Sequence, residues 1–351
     1  MQPKKALDLI IKKSRVHFYK PIQIAEILFH SRNQTLDLRD LELYRNSSKK
    51  WRDQITQRLI GRISTSSQRY QDNIFDANAM PPHLLAELSE FNKTHHGVVE
   101  AYIYKSLHYK LKTIYDVERY IKSSTPKTFK LKDLLQVFIA KPGLKRSGDK
   151  MYEITVYALF ATIVRALQAE VTVEIGNKDE EVLKDFEAFI KIVLGLELGM
   201  QKVSRPASLF RVDVTNAADT GLDMLTNFGP VIQVKHLTLT PEMVEDIAAG
   251  IAADSIVIVC LDAEKNAILA LVAQLGLEAR IQGIITLNDL EHWYELCLSE
   301  KYRLTLGSTL LTDLIREFEL EFPSSQEMEP FLHERGYDNL PLPDEWNVTQ
   351  V

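Results

Sequence analysis

The stretch GLDMLTNFGPVIQVKHLTL, residues 221–239, decides how the second half of the chain is read. Its middle, TNFGP, sets a glycine before a proline, a combination that ends one extended run and turns the chain back. The run that follows is rich in Val, Ile and Leu, yet it carries an amide and an ammonium two residues apart. Alternation along a strand puts Gln233 and Lys235 on one face and Ile232 and Val234 on the other. If the turn folds this strand back along the one carrying Asp223, the acid approaches the same face. A carboxylate, a second oxygen donor and a lysine at a sheet edge suit metal-assisted phosphodiester hydrolysis. The oxygens hold Mg2+, and the ammonium steadies the attacking water or the developing charge. The spacing D-x9-Q-x-K equally suits a turn acid followed by an exposed polar face, so the pattern alone leaves both readings open.

Elements on either side of this stretch alternate between helix and strand. MYEITVYALFATIVRALQ (151–168) reads as a helix apolar nearly all round, hence buried. VTVEIG and LFRVDVT read as strands, with DEEVLKDFEAFIKIVLGLE between them as an amphipathic helix. PEMVEDIAAGIA opens with proline at its first helical position, SIVIVC is a short continuous apolar run of the kind found in central strands, AEKNAILALVAQLG is a helix and RIQGIITL a further strand. That order predicts an α/β fold, a mixed β-sheet flanked by helices. Residues 1–145 instead read as mainly helical, with IQIAEILFHSR, LELYRNSSKKWRDQITQRLIGR and PPHLLAELSEF showing helical apolar spacing. The expected organisation is a helical region over 1–145, an α/β core over 146–321 and an acidic, proline-bearing tail over 322–351.

Composition narrows the class. The 351 residues are 45% hydrophobic and 26% charged, ordinary for a soluble globular protein and enough for a sizeable core. No uncharged apolar run approaches the ~18 residues needed to span a bilayer, and the lysine-interrupted N-terminus does not read as a secretory signal. Cys260 and Cys297 suit a reducing compartment, so a cytoplasmic protein is expected. The net charge of −6 conceals an asymmetry: residues 1–150 hold 28 basic and 15 acidic side chains, residues 151–351 hold 14 and 33. A basic half is the electrostatic footprint of a polyanion-binding surface, although Lys-rich solvated helix faces give the same count. No Walker A sequence, GxGxxG, CxxC pair or HExxH occurs, which removes a nucleotide-binding α/β enzyme and a zinc enzyme from the front rank. His95-His96 has no nearby partner residues and reads as a helix-start or surface feature.

Further candidates surround the hairpin. Glu153 lies in the first turn of the apolar helix, where an ionised carboxylate needs a partner; a metal is one, and exposure at the helix start is the alternative. Asp213 and Asp219 read as strand-end and turn residues. KPGLKRSGDK clusters Lys141, Lys145, Arg146 and Lys150 just before that helix, where they could meet DNA phosphates, and Arg146 could read a guanine edge. Lys105, Lys110 and Lys112 are interleaved with tyrosines in AYIYKSLHYKLK and could do the same, or be solvated while the tyrosines pack inward.

SRVHFYKPIQIAEILFHSR, SKKWRD, KPGLKRSGDKMYEITVYALF and VTNAADTGLDMLTNFGPVIQVKHL together resemble the HaeII family of Type II restriction endonucleases, over nearly the whole chain. The resemblance implies a Mg2+-dependent endonuclease that cuts double-stranded DNA at purine-GCGC-pyrimidine sites, alongside a DNA methyltransferase that acts on the same site. The core is similar to PD-(D/E)xK nucleases, whose strand aspartate falls on Asp223, lysine on Lys235 and helix glutamate on Glu153. Gln233 departs from that pattern, standing where an Asp or Glu is usual, and no proline precedes Asp223. A twofold DNA site is matched by two copies of one protein, so a homodimer is expected. The rival expectation is a non-catalytic DNA-binding protein with a degenerate nuclease-like sheet.

Overall fold

The computed structural model describes residues 2–14, 17–34, 36–140, 145–197, 199–200, 202–212, 222–322 and 327–348. By contacts the chain divides into two units, the first built mainly from Met1–Ile154 and Leu314–Val351, the second from Thr155–Val212 and Thr220–Asp313. The division falls inside the helix Lys145–Ala166.

The first unit is helical, as its apolar spacing predicts. Tyr19–Asn33, Arg45–Ile60, Pro82–Thr94 and the long Val98–Ser123 surround a core that includes Ile22, Leu28, Leu85, Tyr102, Tyr104 and Leu107. Residues 327–348, read from the sequence as an acidic tail, enter this same core. The short helix Met328–Glu334 buries Met328, Phe331 and Leu332, and Tyr337 and Trp346 follow them in. Apolar burial alone does not fix the segment. Arg335 donates to buried Glu26, which also accepts the Tyr104 hydroxyl. Tyr337 donates to buried Glu100, whose carboxylate is further held by Arg32 and Asn92. Two buried acids thus each find charged and neutral donors, the condition under which a carboxylate can stay inside. Burial nonetheless pushes the Glu26 carboxyl above its ordinary value, against the pull of Arg335.

The second unit holds two sheets. β1 (Glu170–Glu174) and β2 (Lys202–Pro206) pair antiparallel as a two-stranded ribbon. The main sheet runs β3 (Leu209–Arg211), β4 (Met224–Thr226), β5 (Val231–Leu239), β6 (Ile256–Ala263) and β7 (Ile281–Ile285), in that order across the sheet. β3, β4 and β5 are antiparallel and β5, β6 and β7 parallel, so the sheet is mixed. The parallel half follows from its crossovers, since the helices Pro241–Gly250 and Lys265–Gln274 carry the chain back to start each next strand. Their apolar faces cover the strands: Val244, Ile247, Ile268 and Val272 share a core with Val231, Ile256, Ile258 and Cys260. The segment between β1 and β2 departs from the single amphipathic helix its pattern predicts. It is broken into Glu180–Asp185, Glu187–Phe189 and a π-helical turn Ile190–Leu194 that ends on Gly195 in the left-handed region.

Candidate active site

The turn TNFGP does what its sequence requires. Gly229 takes a φ of 122°, open to glycine alone without strain, and the Thr226 hydroxyl donates to Pro230 O at 2.7 Å, closing β4 onto β5. The pairing of Met224 with Ile232, extended by one step, sets Asp223 opposite Gln233. The contact is direct: Gln233 Nε2 donates to Asp223 Oδ2 at 2.6 Å, and the backbone N–H of Val234 donates to the same oxygen at 2.7 Å.

These two bonds orient both side chains. An ionised carboxylate only accepts, so the amide must turn its NH2 toward Asp223, which directs Oε1 elsewhere. Gln233 is 2% exposed, and its buried Oε1 has no hydrogen-bond partner among the described residues. A buried amide oxygen without a donor costs ~1–3 kcal/mol. It is a hard neutral ligand of the kind that, next to a carboxylate, accepts a divalent cation such as Mg2+. The donor chemistry at this point of the sheet therefore fits a metal. Among the described residues no three His, Cys, Asp or Glu side chains group closely enough to hold one by themselves.

Lys235 is half-buried on the same face of β5 as Gln233, and β5 pairs with β6 beneath both, Gln233 against Ile258 and Lys235 against Cys260. The neighbouring strand is apolar at these positions, so the polar groups converge on an otherwise greasy sheet. The Cys260 thiol is buried and pushed up to about 11 by desolvation, which keeps it protonated and unreactive.

Glu153 belongs to the first unit. It is 3% exposed and ion-paired with Lys150 one helical turn earlier, an arrangement the sequence did not suggest for either residue. Lys145 and Arg146 open the same helix. Lys141, Asp213 and Asp219 lie outside the described residues. In the helix Val98–Ser123 the lysines divide. Lys112 is exposed, whereas Lys105 donates to Leu340 O at 2.9 Å and holds the C-terminal segment. Lys110 is 6% exposed, donating to Ile11 O at 3.0 Å and Ser14 O at 3.3 Å while its ammonium lies over Phe18. Burial lowers its pKa to about 8. Lys110 therefore secures the end of the first helix and does not face solvent, which removes it from the phosphate-contacting set. Tyr102 and Tyr104 pack inward and Tyr109 and Tyr115 stay exposed. Sequence reading missed the Val234 N–H and the role of Gln233 as a donor. A turn that places residues ten apart opposite each other was the available signal for both.

A family model for the HaeII restriction endonuclease matches residues 3–337. The chain belongs to the HaeII restriction endonuclease family. It is 46% identical over 338 residues to the Type II restriction enzyme HaeII of Haemophilus aegyptius, covering 95% of this chain and 96% of that one. It is likewise 46% identical over 341 residues to the Type II restriction enzyme NgoBI of Neisseria gonorrhoeae, covering 96% and 97%. Membership makes this chain a Type II restriction endonuclease, a site-specific deoxyribonuclease. No solved structure matches it. Among the described residues no helix is long and apolar enough to cross a membrane.

Proposed function

We propose that the chain hydrolyses phosphodiester bonds of double-stranded DNA at a short palindromic site, purine-GCGC-pyrimidine, with Mg2+ held by Asp223 and Gln233, and that Glu153 is a further metal-ligand candidate. The observation that carries this reading is the Asp223–Gln233 pair, whose buried Oε1 has no donor among the described residues. When bound, Mg2+ supplies a polarised phosphate and a more acidic water. Asp223 contributes the negative charge that draws a cation to the site, and the N–H of Val234 fixes its carboxylate. Gln233 contributes an oxygen without charge, so the cation is held less tightly than by a pair of carboxylates. Lys235, one strand step along, orients the attacking water and stabilises charge developing on the phosphate. Lys105, Lys112, Lys141, Lys145, Arg146 and Lys150 belong to the basic half and meet the DNA backbone, with Arg146 as a base reader.

Two copies act together on the two strands, in the cytoplasm, and a methyltransferase modifies the same sequence on host DNA. The neutral amide at position 233 favours one other reading, a DNA-binding protein whose nuclease site has lapsed. A plasmid digest with Mg2+ or with chelator separates the two. Discrete fragments only with Mg2+, their ends mapping within the proposed hexamer, support the nuclease. Intact plasmid over a wide range of Mg2+ and Mn2+ concentrations defeats it.

A further inference from the structure

Between β1 and β2, Val182, Phe186, Phe189 and Val193 recur at i, i+4, i+7 and i+11, and all four stay exposed through the break after Asp185 and the π-helical turn Ile190–Leu194. Asp179 caps the segment by accepting from the N–H groups of Glu181 and Val182. Among the described residues of the second unit nothing covers this stripe. Phe186 and Val193 are each 60% exposed, Phe189 55%, and the flanking Ile192 82%. On its other flank Leu183, Ile190 and Leu194 join Ile175 around a shallow apolar groove. Lys184, Glu187 and Lys191 fall on the opposite side of the helical turn, so the segment is amphipathic with its apolar side in water.

We infer that this stripe is the surface through which two copies of the chain associate. The exposed side chains of Val182, Phe186, Phe189, Ile192, Val193 and Met200 leave on the order of 600 Å² of apolar surface open. That is at the upper limit for a monomer and close to the ~800 Å² that each partner gives a standard interface. Charge argues against DNA and anionic lipid as occupants, since residues 175–201 carry six acidic side chains against three lysines. The spacing is also symmetric about its own midpoint. Phe186 and Phe189 are equidistant from it, as are Val182 and Val193. An antiparallel pair about a twofold axis would therefore bring the two phenylalanines of each copy nearest the axis and the two valines outside them, an isologous contact. The choice of a second copy rests on the proposed nuclease reading in one respect, that a palindromic site has a twofold axis which two copies match.

The test measures the mass of the full-length protein in solution by sedimentation equilibrium. The wild type is expected to be a dimer, and Phe186→Glu to raise the dimer dissociation constant by about 30-fold or more, the loss expected for a central hot-spot aromatic. The double variant Phe186→Cys/Phe189→Cys keeps an apolar surface and is expected to form a covalent dimer under mild oxidation, while Lys184→Cys on the opposite side stays monomeric under denaturing electrophoresis. A monomeric wild type, an unchanged dimer in Phe186→Glu, or equal cross-linking from Lys184→Cys would overturn the assignment. Plasmid cleavage by the wild type is scored separately. A monomer that cuts leaves the nuclease reading standing without this surface, and a dimer that never cuts leaves the surface standing without the nuclease.

Discussion

Replacing Gln233 with Glu should convert a metal-independent contact into a metal-dependent one. In the wild type the amide donates to Asp223 Oδ2 at 2.6 Å, a neutral donor on a charged acceptor, which contributes ~1.5–3 kcal/mol. Glutamate of the same shape removes the donor and sets a second negative charge ~4 Å from the first, a repulsion of about 4 kcal/mol at an effective dielectric constant near 20. Protonation limits the damage. Holding one carboxyl neutral at pH 7 costs about 4 kcal/mol, from a reference pKa near 4.3 and 1.36 kcal/mol per unit. Both routes converge on a loss of about 4 kcal/mol, or on the order of 10 °C in Tm for a unit of this size. The paired carboxyl has its folded pKa raised, so the penalty is full at neutral pH and fades as the pH falls toward about 4. A divalent cation between two carboxylates offsets the repulsion, so Mg2+ should restore the variant's Tm while moving the wild type far less. Thermal unfolding followed by circular dichroism, in chelator and across a Mg2+ titration, measures this. A variant as stable as wild type in chelator, or an equal Mg2+ shift in both proteins, would refute the assignment of Gln233 to a metal site. The Mg2+ concentration giving half-maximal cleavage should fall in the same variant.

Lys235→Ala should lower the cleavage rate by ~100- to 1,000-fold while leaving gel-shift affinity for the cognate duplex in Ca2+ within a few-fold of wild type; full cutting would remove Lys235 from the chemistry. Arg335→Ala leaves Glu26 buried beside Tyr104 without its ion pair, so the denaturant midpoint of the first unit should drop by an equivalent of ~3 kcal/mol. Lys110 has a folded pKa of about 8 against 10.5 for a free lysine. The unfolded chain therefore binds the extra proton between those values, and stability should rise with pH across that window. Lys110→Met should abolish that rise, worth about 3 kcal/mol, in urea titrations at pH 7.5 and 10.

The hairpin was legible because its information is local. A Gly-Pro turn and a period-two strand suffice to put Asp223, Gln233 and Lys235 on one face, and the register needs no other part of the chain. Charge distribution marked the basic half in the same way, as a sum over residues that no fold can change. What the sequence left open were matters of which partner a group finds. Lys110 and Lys112 are two residues apart in one basic helix, yet one lies under Phe18 and the other in solvent. Residues 327–348 looked like a tail because their composition is acidic and proline-bearing, and only the carboxylates of Glu26 and Glu100, more than two hundred residues away, explain why Arg335 and Tyr337 are inside.

The sequence by itself determined the helical first unit, the mixed sheet and the trio on β5 and its neighbour, since periodicity and turn chemistry are written residue by residue. Tertiary structure decided the direction in which the Gln233 amide faces, because only contact with an acceptor-only carboxylate forces its oxygen away and leaves it buried, without a donor among the described residues.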